Sequence, residues 1–194
     1  MLSFIARQLL KLGGWTPVGE IPAEKKAVVI AAPHTSNWDG IWGLIYRVER
    51  GFDIHFFAKD TLFWFPLGWI LRALGGIPLD RKVPGAAVQR AVERFANSES
   101  FYFGLAPEGT RSLKQGWKSG FYRIASEANV PLVLGFFDYR TRRLGIGPTM
   151  SLSGDVETDM QHIREFYAEF EGRHPENTSP VRLMSDKVSP RAAT

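Results

Sequence analysis

The chain contains no cysteine among its 194 residues. That excludes disulfides, thiolate metal sites and any mechanism that parks an acyl group on a cysteine sulfur. No apolar run approaches the ~20 residues a bilayer-spanning helix needs. The most apolar stretch, Thr61 to Leu71, is broken by Pro66 and Gly68 and stops at Arg72. There is no Gly-x-Ser-x-Gly elbow, no phosphate-binding Walker loop and no dinucleotide fingerprint. The four histidines, His34, His55, His162 and His174, show no metal-ligand spacing. A net charge of only +4 is too small to coat a nucleic acid, although it suits anionic lipids or phosphorylated substrates.

What is present is the material of one packed domain. A hydrophobic fraction of 44% in 194 residues supplies a single core. Leu2, Ile5, Leu9 and Leu12 recur at helical spacing, with Arg7 and Lys11 between them and no acid before Glu20. This is the pattern of a basic amphipathic helix over residues 1–12, suited to a membrane interface or to packing on the domain. Ala27 to Ala32 is a continuous apolar run, the mark of a strand buried on both faces. Ile54 to Ala58, Phe101 to Leu105 and Leu132 to Phe137 read as further strands, and Leu144 to Leu152 as an edge strand with glycine turns. Helical periodicity falls between them, over residues 41–48, 88–95 and 119–128, and again over 160–170. Strands alternating with helices predict an α/β fold, a mostly parallel sheet covered by helices on both faces. One domain over residues 1–171 and a flexible, proline-bearing tail over 172–194 are expected.

Two constellations carry chemistry. His34 follows the first buried strand, where ligands gather in parallel sheets, and Asp39 lies five positions later. Positions five apart on one helix do not face each other. The pair meets only if His34 is in the loop and Asp39 in the first helical turn, with Ser36 or Asn37 as the cap. Asp39 would then orient one ring nitrogen and leave the other free to take a proton. Spacing alone fits equally well a capping aspartate beside an unrelated histidine. The second constellation is Pro107-Glu108-Gly109-Thr110-Arg111-Ser112, just after the strand at Phe101 to Leu105. Gly109 permits close backbone approach, Thr110 supplies a hydroxyl, and Arg111 a planar fork for phosphate that Glu108 could steady. Lys59 and Arg81 end two other segments and add cations.

Together these residues resemble the glycerolipid acyltransferase superfamily, the lysophosphatidate acyltransferase (PlsC-like) group. His34 and Asp39 match its His-x-x-x-x-Asp motif, Gly75 to Arg81 a Gly-rich turn ending in Arg, and Pro107 to Ser112 its Pro-Glu-Gly-Thr-Arg-Ser motif. Val130-Pro131-Leu132-Val133 matches its short apolar run around proline, and Lys59, Lys118 and Gly120 fall at further family positions. Pro33 stands where many members have Asn, and Leu134 where a second proline occurs.

The resemblance implies that His34, steered by Asp39, activates a hydroxyl that attacks the thioester of acyl-CoA or acyl carrier protein. It also implies that Lys59, Arg81, Glu108, Gly109, Thr110 and Arg111 bind substrate. The expected acceptor is a lysophospholipid, 1-acyl-glycerol-3-phosphate giving phosphatidic acid. Another lysolipid such as lyso-ornithine lipid is the alternative, and a non-catalytic protein binding anionic lipid is a second. No cofactor, metal or nucleic acid is expected. The expected location is the cytoplasmic face of the membrane, with peripheral attachment.

Overall fold

The computed structural model describes residues 1–79 and 85–184. Their elements run α1 (Leu2–Leu12), β1 (Thr16–Val18), β2 (Lys26–Ala32), α2 (Asn37–Arg50), β3 (Ile54–Lys59), α3 (Leu67–Ala73), β4 (Gly76–Leu79) and α4 (Ala86–Ala96). They continue through β5 (Phe101–Leu105), α5 (Gly120–Ala128), β6 (Leu132–Asp138), β7 (Arg143–Met150) and α6 (Val156–Tyr167). The strands form one seven-stranded sheet in the order β1-β7-β6-β2-β5-β3-β4. β6, β2, β5, β3 and β4 are mutually parallel, and β7 returns antiparallel to β6. The expected α/β architecture is therefore present.

Alternation along β2 divides the core. Val28, Ile30 and Ala32 point into one cluster with Phe95 of α4, Phe121 of α5 and Ile163 of α6. Ala27 and Val29 point into the other, with Leu10 of α1, Trp15 and Tyr46 of α2. Burial on both faces is what an uninterrupted apolar strand requires.

Two expectations are corrected. β7 is not an edge strand, because Thr16, Pro17 and Val18 pair in parallel with Arg143, Leu144 and Gly145 on its outer side. The true edges, β1 and β4, each contain a proline (Pro17 and Pro78), tolerable where no ladder donor is needed. The second concerns residues 172–184, expected to be loose. They lie against the domain, with Ser179 buried and the Trp117 backbone N–H donating to the Arg182 carbonyl at 2.7 Å.

α1 buries Ala6 and Leu10 against α2, and Arg7 is spent on the buried Glu49 of α2 at 3.1 Å. Its apolar positions Leu2, Phe4, Ile5, Leu9 and Leu12 are exposed. The aromatic run after β3 is also outside the core: Phe65 is 87% and Trp69 72% exposed.

Candidate active site

The C-terminal ends of β6, β2, β5 and β3 lie side by side, and the residues singled out above leave from them. Ser36 caps α2 and Asp39 is its N3 residue, forming a reciprocal capping box. The Asp39 carboxylate is fully buried. Its Oδ2 accepts from the Thr35 N–H at 2.9 Å and the Ser36 N–H at 2.8 Å, and the His34 Nδ1 stands 3.2 Å away. One side chain thus both caps α2 and meets the His34 ring. Capping fixes the carboxylate, and the fixed carboxylate fixes the imidazole.

The other carboxylate oxygen, Oδ1, accepts from the Tyr139 hydroxyl at 2.6 Å. Burial works to raise the Asp39 carboxyl, but hydrogen bonds from His34, Tyr139 and Ser36 outweigh it and hold the group below its ordinary range. Burial pushes the Tyr139 hydroxyl well above its usual value, reinforced by Asp39 and opposed by the nearby Arg173. His34 is 20% exposed, and its Nε2 is free of protein partners among the described residues. An imidazole held at one nitrogen and open at the other is set to take a proton.

Glu108 does not steady Arg111. It is 1% exposed, and its Oε1 accepts from the His34 backbone N–H at 3.2 Å while Oε2 has no partner. Burial pushes its carboxyl up to about 7, the His34 N–H pulling it down and the Asp39 charge adding to the rise. Its position makes it a brace for the histidine loop. Gly109 has a φ of +67°, and a Cβ there would meet the Lys118 side chain at 2.8 Å, so the absence of one admits Lys118 over the turn. The Thr110 hydroxyl accepts from the Ser112 N–H at 3.4 Å. Arg111 and Lys59 are exposed and make no ion pair among the described residues. Lys59 ends β3, two strands from β2. Arg81 lies outside the described residues.

Sequence reasoning missed Tyr139 and the segment after α6. The Tyr139 N–H donates to the Glu171 carbonyl at 2.8 Å, and the His174 N–H to the Thr35 hydroxyl at 3.1 Å. Two shallow hollows, one lined by Val88, Val92 and Arg123 and the other by Phe57, Ile77 and Arg90, contain none of the residues discussed here.

A family model described as Acyltransferase matches residues 17–133, more than half of the chain. The fold is similar to that of the crystal structure of the 1-acyl-sn-glycerophosphate (LPA) acyltransferase PlsC from Thermotoga maritima, with a TM-score of 0.59 at 21% identity. That match covers 88% of this chain and 80% of the other. A comparison with curated protein sequences gave no match.

Proposed function

Because the chain belongs to the acyltransferase family, we propose that it moves a fatty acyl group from acyl-CoA or acyl carrier protein to the free hydroxyl of a lysophospholipid. The proposed acceptor is 1-acyl-glycerol-3-phosphate, giving phosphatidic acid. His34 Nε2 takes the hydroxyl proton as the acceptor oxygen attacks the thioester carbonyl. The carbon–oxygen bond forms, the carbon–sulfur bond breaks, and the departing sulfur takes the proton back from His34. With no cysteine in the chain, a direct displacement is the simpler course. Lys59 and Arg111, with Lys118 beside Gly109, supply positive charge for the acceptor's phosphate, a positioning effect. The substrate-binding role of Arg81 and Thr110 is retained from the family motifs they occupy.

The observation that carries this reading is the 3.2 Å contact between His34 Nδ1 and a fully buried carboxylate, with Nε2 left open at the strand ends. His34→Ala tests it. Turnover of lysophosphatidate with an acyl thioester should fall by roughly 10²–10⁴, the usual contribution of a general base, with the melting curve unchanged. Wild-type turnover in that variant would overturn the mechanism.

We infer that the chemistry occurs at a membrane surface, on the cytoplasmic face where both thioester donors are found. Among the described residues no helix is long and apolar enough to cross a membrane. The exposed Leu2, Phe4 and Leu12 of α1, with Trp64, Phe65 and Trp69, offer apolar and aromatic groups to a lipid interface.

A further inference from the structure

We propose that Arg173, delivered by the segment after α6, is an anion-binding residue of the active site and takes the phosphate of the lysolipid acceptor. The inference rests on the acceptor assigned above.

Residues 171–182 run as a strap across the strand ends. At β6, the Glu171 carbonyl accepts from Tyr139 at 2.8 Å. At the loop after β2, a Cβ on the buried Gly172 would meet the Thr35 hydroxyl at 2.8 Å, so the chain passes in contact with that loop. The His174 N–H ties to the same hydroxyl at 3.1 Å. Beyond β5, Ser179 Oγ accepts from the Lys114 N–H at 3.0 Å, and Arg182 Nε donates to the Gln115 carbonyl at 2.8 Å. Arg173 is therefore pinned between two ties, each one or two residues away, to the residues flanking the His34–Asp39 pair.

Its guanidinium carbon lies 5.8 Å from the centre of the Trp38 ring, and Trp38 directly precedes Asp39. A guanidinium resting on an aromatic face leaves its edge donors outward; one of them serves the Tyr139 hydroxyl, and the planar fork has others to offer. Arg173 makes no ion pair among the described residues, and the nearby Asp39 carboxylate already serves Thr35, Ser36, His34 and Tyr139. An exposed cation set between Trp38 and Tyr139, the one adjoining Asp39 in sequence and the other bonded to it, and unspent on a carboxylate, is available to a ligand anion.

Position decides which anion. In a lysophosphatidate only a few covalent bonds separate the phosphate from the free hydroxyl, so a site next to His34 suits it. The donor's phosphates sit at the far end of the pantetheine arm when its thioester is at the base. Arg111 follows β5 and Lys59 ends β3, whereas Arg173 sits by Tyr139 after β6, so cations are placed on both sides of the β2 loop that carries His34.

Steady-state kinetics on Arg173→Gln and Arg173→Lys test this, with lysophosphatidate and the acyl thioester varied separately. Arg173→Gln should raise the acceptor KM at least tenfold and leave the donor KM within twofold, and Arg173→Lys should restore most of the loss. Calorimetric titration with glycerol 3-phosphate needs no turnover and should show at least tenfold weaker binding in Arg173→Gln. Equal glycerol 3-phosphate binding by the wild type and Arg173→Gln overturns the proposal, as does a rise confined to the donor KM. A wild-type chain that transfers nothing to lysophosphatidate, yet binds glycerol 3-phosphate through Arg173, would sink the acceptor reading and keep the anion site.

Discussion

Tyr139 and Asp39, one hundred positions apart in sequence, are joined by a 2.6 Å hydrogen bond. It occupies the one carboxylate oxygen that the capping box and His34 leave open. A hydrogen bond to a charged group contributes about 1.5–3 kcal/mol. If that energy is spent on holding Asp39 for His34, Tyr139→Phe should lower kcat roughly 10- to 100-fold with KM unchanged. An unaltered kcat in Tyr139→Phe would show that the carboxylate needs no third partner.

Asp39 has two duties that one substitution separates. Asp39→Asn keeps an acceptor for the helix start but removes the charge that steadies the imidazole. Activity should fall by roughly 10²–10⁴. Stability should fall by no more than a capping loss of about 1 kcal/mol, a melting shift of roughly 2–4 °C. Parallel activity assays and thermal melts distinguish the two. A large melting shift with activity largely kept would reverse the assignment.

Glu108 gives a pH signature. Its folded carboxyl sits at about 7, above its unfolded value of 4.5, so between these the native state binds the extra proton. Stability from this group is fully present below about 4.5 and is lost as pH rises through 7. Glu108→Gln keeps an acceptor for the His34 N–H and has no charge to bury. Its stability relative to the wild type should rise between pH 5 and pH 8 in urea unfolding experiments. Parallel curves across that range would rule the effect out.

The contact between Gly172 and Thr35 is too close for a methyl group. Gly172→Ala should displace the strap or the histidine loop, at a cost of about 1–3 kcal/mol, and raise the acceptor KM with it. Normal stability and kinetics in this variant would mean that the loop gives way freely.

Membrane docking has its own test. Phe4→Ser combined with Leu12→Ser removes exposed apolar groups that support none of the core. Each fully buried side chain of this kind is worth about 1.5–3 kcal/mol. Affinity for phosphatidylcholine–phosphatidylglycerol vesicles should drop at least tenfold with the melting temperature unchanged. Undiminished vesicle binding would remove α1 from the interface.

Local chemistry was legible in the sequence; distant closure was not. The first motif is short enough that a strand end, a cap and a helix start dictate where His34 and Asp39 meet. β2, β5 and β6 announce themselves because burial on two faces forbids polar interruptions. β1 and β4 stayed hidden because each is short, carries a proline and lies at an edge, where little burial is demanded. Tyr139 gave no signal, since its role is a single hydroxyl brought to Asp39 by the pairing of β6 with β2. The strap read as loose chain from its prolines and polar residues. Its anchors are backbone groups, one glycine and the Ser179 and Arg182 side chains bonded to distant main chain, which composition does not reveal. Glu108 looked like a partner for Arg111 because they are three apart, but its turn sends the carboxylate inward.

The strap owes its place to a few polar ties and one apolar contact, Val181 on the rim of the core, with Gly172 and Ser179 as its buried points. Segments fastened this lightly detach at lower cost than core strands do. On gentle warming the enzyme should therefore fall silent while its circular dichroism still reports an intact sheet, and cooling should bring the activity back.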